Sequence, residues 1–102
     1  MNLPARPMPR PTAQVQPYVD AMGPELAMKF ILHFGGAELW IPKNLKGDTE
    51  FEAMIGPSAA QALVERAGRL QKRVPLAKAW LTAMLDWQGL PASEIARRLR
   101  VS

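Results

Sequence analysis

Leu90-Pro91-Ala92-Ser93-Glu94-Ile95-Ala96-Arg97-Arg98-Leu99-Arg100-Val101-Ser102 closes the chain, and its spacing predicts a helix and then the turn of a helix-turn-helix. Ile95, Ala96 and Leu99 fall on one helical face, and Ala96 is small enough for a second helix to pack closely. Val101 is expected to plug the turn, and Ser102 to cap a following helix by accepting from an orphan backbone amide. The helix that a DNA reader places in the major groove is not among these 102 residues. Upstream, Pro75 is expected to open a strong helix in which Leu76, Ala77, Trp80, Leu81, Met84 and Leu85 fill adjacent rows, ended by Gly89. Residues 75–102 are therefore expected to form a helix-turn-helix that lacks its recognition helix.

Residues 18–74 carry an internal repeat. Met22-Gly23-Pro24 recurs as Ile55-Gly56-Pro57, 33 residues later. At the same offset Ala27 matches Ala60, Phe30 matches Leu63, Ile31 matches Val64, Gly35 matches Gly68, Ile41 matches Val74 and Pro42 matches Pro75. Each copy has the order helix, glycine stop, short strand, proline stop. In the first, Pro24 suits a first helical turn, Leu26, Ala27, Phe30, Ile31 and Phe34 make an apolar stripe, and Gly35 is expected in the left-handed conformation. Residues 38–41 are β-prone; residues 71–74 are a weaker strand, polar enough to continue the preceding helix instead. Short strands need partners, which are found either in each other or across a two-fold axis in a dimer. Between the copies, Asp48 or Thr49 is placed to cap a short helix through Met54.

The first 17 residues hold five of the ten prolines, which predicts an extended or disordered leader unless a partner orders it. The expected fold is thus mainly α with one or two short β-strands, a helix-strand dimerisation unit leading into the truncated helix-turn-helix. There is no cysteine, so disulfides and thiolate metal sites are excluded. No apolar run approaches the roughly 20 residues that span a bilayer, and the N-terminus does not begin a signal peptide, which points to the cytoplasm. Charge is uneven: residues 20–59 carry a net −3 and residues 60–102 a net +5, within an overall +4. A basic C-terminal portion suits an anionic partner, most often nucleic acid. Arg97, Arg98, Arg100 and Ser102 form one candidate DNA-binding group. Arg66, Arg69, Lys72, Arg73 and Lys78 form a second, with Arg66, Arg69 and Arg73 on one face if their helix runs that far.

The run Phe34-Gly35-Gly36-Ala37-Glu38-Leu39-Trp40-Ile41-Pro42-Lys43 resembles the Gly-Gly, aromatic-Ile-Pro-Lys element of the Mor/C family of phage transcription activators. The preceding helix and Glu94-Ile95-Ala96 with Leu99 fit the same pattern, so the resemblance spans residues 20–102. It implies an intertwined dimer that binds promoter DNA and recruits RNA polymerase, in a phage-derived setting. Phe30, Phe34, Leu39, Trp40 and Ile41 are the expected dimer contacts, with core burial within the monomer the alternative for Trp40.

Catalysis finds little support. His33 is the only histidine and has no cysteine or second histidine to work with, which suits a structural imidazole. Asp48, Glu50 and Glu52 alternate in what is ordinarily an exposed acidic turn. Gly35-Gly36 ends a helix rather than opening one, so its amide dipoles point the wrong way for a phosphate loop. The sequence therefore points to no enzyme, metal or cofactor. It points to a homodimeric DNA-binding activator at the nucleoid. The rival expectation is a protein-interaction module, or an anti-activator, that pairs with polymerase or a second regulator and barely touches DNA.

Overall fold

A computed structural model describes residues 6–99 of the chain. The order is α1 (Gln16–Phe34), α2 (Glu50–Ile55), α3 (Pro57–Glu65), a short 3-10 turn (Ala67–Arg69), α4 (Lys78–Trp87) and α5 (Ala92–Leu99). The fold is mainly helical.

The repeat is visible in the backbone. Gly23 breaks α1 at φ 82°, ψ 162°, and Gly56 separates α2 from α3 at φ 87°, ψ 163°. That region of backbone space is open essentially to glycine alone, and the proline after each glycine restarts a helix. Each copy is therefore helix, Gly, Pro, helix. Helix α1 packs on α3, and the matched pairs Ala27/Ala60 and Phe30/Leu63 are all fully buried. Small alanines let the two helix axes approach. Around them Tyr18, Phe30 and Phe34 form an aromatic row, with ring centroids 5.4 and 4.8 Å apart.

Of the expected strands only one antiparallel bridge forms among the described residues, between Glu38 and Arg73. It joins the ends of the two copies within one chain. The Val74 carbonyl accepts from Gly36 (2.7 Å) and the Val74 amide donates to Ala37 (2.9 Å). Pro42 and Pro75 bound the segments, leaving too few donors for a longer ladder. Gly35 is not left-handed (φ −52°); Gly36 takes the positive φ instead. What Gly35 supplies is space, because a Cβ there would sit 2.6 Å from the Ile31 carbonyl oxygen.

Three boundaries differ from expectation. Helix α3 stops at Glu65, so residues 66–73 do not extend it. Helix α4 begins at Lys78 and not at Pro75: Ala77 before it sits in the left-handed region (φ 51°, ψ 37°), and Val74 is tied to Gly36 and Ala37. The leader, from Arg6 on, is ordered by the chain itself. The Trp87 indole N–H donates to the Arg6 carbonyl (2.8 Å), and the Arg6 guanidinium donates to the Asp86 carbonyl (3.0 Å). Val15, at the leader's end, is fully buried.

Thr49 caps α2 as anticipated: its hydroxyl oxygen accepts from the Glu52 amide (3.2 Å) while its O–H donates to the Glu52 carboxylate (2.7 Å). No helix among the described residues is long and apolar enough to cross a membrane.

Candidate nucleic-acid interface

Helices α4 and α5 are joined by a short turn and pack against each other. After Trp87 the chain turns at Gly89, and the Leu90 amide donates to the Leu85 carbonyl (3.1 Å), closing the C-terminus of α4. Pro91 then precedes α5, its carbonyl accepting from both Glu94 and Ile95 (3.0 Å each). Ile95 is buried, whereas Ala96 and Leu99 on the same face are only half covered. Between the two helices lies an open groove of about 500 Å³, floored by Ala79, Thr82 and Ala83 from α4 and by Ile95, Ala96 and Leu99 from α5. The groove presents mainly small and apolar side chains, with Asp86 also in its lining.

On the outer side of α5, Arg97 and Arg98 are exposed and share Glu94 as counterion. Arg97 pairs with one carboxylate oxygen, and Arg98 reaches the other at 3.4 Å. Such exposed pairs hold loosely, so a phosphate can replace the carboxylate at small cost. Glu94 is the partner the sequence reading passed over, although the three- and four-residue spacings announce it. Arg100 and Ser102, named in the same group, lie outside the described residues.

The second basic group does not assemble on one face. With α3 ended at Glu65, the Arg66 guanidinium donates back to the Ala62 carbonyl (2.9 Å), satisfying the helix terminus. Arg69 sits in the 3-10 turn. Arg73 spans the bridge, donating to the Gly36 carbonyl (3.1 Å) and pairing with Glu38 (3.4 Å). Lys72 is exposed between them. Of this group only Lys78, at the start of α4, comes near an α5 arginine: it shares with Arg98 the lining of one cavity.

The expected dimer contacts also separate. Phe30 and Phe34 are buried inside the single chain and form its aromatic row. Leu39 and Ile41 are half-buried against the same core. Trp40, between them in extended chain, points the other way and is 79% exposed. Of the five, Trp40 alone is left fully available as an anchor.

His33 is paired rather than isolated: its Nε2 lies 2.8 Å from a Glu50 carboxylate oxygen, with the ring half exposed. Among the described residues no three of the His, Asp and Glu side chains gather as a metal-binding group.

Compared with family models, curated proteins and solved structures, the chain has no match.

Proposed function

We propose that this chain is a small DNA-binding transcription regulator that works as a homodimer at the nucleoid and activates phage-type genes by recruiting RNA polymerase. The observation that carries the reading is the α4–turn–α5 pair with Arg97 and Arg98 exposed on the outer side of α5 and Lys78 at the start of α4. Arginine and lysine so placed grip phosphates and set the register of a protein on a duplex without reading bases. The Gly-Gly, Trp-Ile-Pro-Lys element of residues 35–43 supports the activator assignment as a resemblance only. No catalytic role is proposed for any residue.

Fluorescence anisotropy on labelled duplex DNA across a salt series tests the proposal. Three phosphate contacts per chain give a slope of log K on log salt of about −2.7, and a dimer engaging both copies about twice that. Arg98→Gln is expected to flatten the slope by about one unit per chain. Absence of binding at low salt, or a slope near zero, overturns the DNA reading.

A second reading, a protein-interaction module or anti-activator, is favoured by the open α4–α5 groove and the exposed Trp40. Exposed tryptophans of this kind anchor protein interfaces. A chain that ignores DNA but co-purifies at fixed stoichiometry with polymerase or a second regulator supports that reading.

A further inference from the structure

Three elements distant in sequence meet around a second cavity, of about 380 Å³. The last turn of α1 contributes His33, the first residue of α4 contributes Lys78, and the end of α5 contributes Arg98. Among the described residues no carboxylate lines it. Leu32 and Leu76, both exposed, also line it. We propose that this cavity binds a phosphate group, with Lys78 and Arg98 as its charged partners and the His33 ring lining the site beside them.

Three considerations converge on that ligand. Lys78 and Arg98 come to one cavity from separate elements, and an oxyanion between them is attracted by both charges. Arg98 offers a planar fork of donors suited to a phosphate, and Lys78 a mobile point charge. The volume lies near the low end of the range for small-molecule sites, about 300–1,000 Å³. It therefore leaves room beside the phosphate for the group that carries it, which the leucines would face. Glu50 and Glu94 hold His33 and Arg98 through half-exposed contacts, so an incoming anion competes with weak pairs rather than buried ones.

In the DNA reading above, the phosphate belongs to the duplex backbone, and that identification rests on the reading; the cavity and its cations stand apart from it. His33, as the only histidine, gives an unambiguous NMR signal. The experiment titrates the full chain with sodium sulfate against sodium chloride at matched ionic strength, then with a short duplex. The expected result is a saturable movement of the His33 ring resonances with sulfate alone. Its midpoint weakens by on the order of fivefold in Lys78→Gln and in Arg98→Gln, both exposed positions where the fold is not at risk. Glu50→Gln, which frees the ring, tightens it by about two- to fivefold.

A duplex that moves the same resonances and competes with sulfate assigns the phosphate to DNA. A sulfate response without a duplex response keeps the site and assigns it to a small phosphoester, overturning only the DNA reading. A linear shift equal in both salts, or a saturable one unchanged in all three variants, overturns the site. So does DNA binding that leaves His33 unmoved when sulfate also fails.

Discussion

Gly23 and Gly56 allow the two-copy architecture to be tested by chirality. Replacing either by L-alanine leaves packing untouched, because a Cβ at each position meets no atom within 4 Å. The whole cost is then backbone strain at φ 82° and φ 87° with ψ near 162°, about 1–3 kcal/mol for a non-glycine residue held there. Against it stands the reduced freedom of the unfolded chain, about 0.4–1 kcal/mol in favour of alanine. D-alanine shares that entropic gain but takes positive φ without strain. At each site the D and L variants therefore differ by the strain alone, about 1–3 kcal/mol, which corresponds to about 4–8 °C in Tm per kcal/mol for a domain of this size. Chemical ligation of synthetic segments supplies all four chains, and urea unfolding followed by tryptophan fluorescence reads them. The expected order is D-alanine at or above wild type and L-alanine below it, with similar gaps at the two positions. Equal stability of D and L variants at either glycine refutes the matched break, and with it the claim that the sequence repeat is a structural one.

Four further outcomes follow from the core and its edges. Burial raises the Tyr18 phenol above its usual value of 10.0 by desolvation. The unfolded chain therefore loses that proton first, stability is unaffected by this group below pH 10 and falls as pH rises beyond it, and Tyr18→Phe abolishes the fall. As the only tyrosine, Tyr18 reports its own phenolate absorbance, which is expected above the value read in urea. Phe30→Ala, within the aromatic row, costs about 3–5 kcal/mol in urea unfolding. Trp87→Phe removes the donor to the Arg6 carbonyl and costs about 0.5–1.5 kcal/mol, with faster amide exchange in the leader. Trp40→Ser changes stability by less than about 0.5 kcal/mol but weakens self-association in sedimentation equilibrium; unchanged association removes Trp40 from the dimer face.

Much of the helical plan was legible in local signals. The Gly-Pro pairs, a cap at Asp48 or Thr49 and the stop at Gly89 each depend on residues within a few positions of one another, where propensity and spacing carry the information. What escaped depends on long-range contacts. The start of α4 falls at Lys78, after a left-handed Ala77 and beyond the bonds that tie Val74 to a loop some 37 residues earlier. The leader is held by contacts between Arg6 and residues 86 and 87, across 80 positions; its prolines announce an extended chain but not what it lies against. The candidate site divides in the same way. Arg97 and Arg98 flank one counterion through helical spacing, whereas Arg66, Arg69 and Arg73 scatter because α3 ends before reaching them. The pairing of His33 with Glu50 joins two segments that no periodicity connects.

The two helix-Gly-Pro-helix units have a consequence for how the molecule holds together. Each unit finds in its twin the surface that a subunit of a symmetric pair finds in its partner, but the two are joined by the stretch from Pro42 to Thr49. Their meeting is governed by an effective concentration set by that tether, of millimolar order for a short flexible link, and not by how much protein the cell holds. A nick at Gly47 would turn this internal encounter into a bimolecular one. The cut pieces would then rejoin only as far as their shared surface and the leader's grip on α4 allow. Dilution, which leaves the core of the intact chain unaffected, would become the variable that decides whether that core exists.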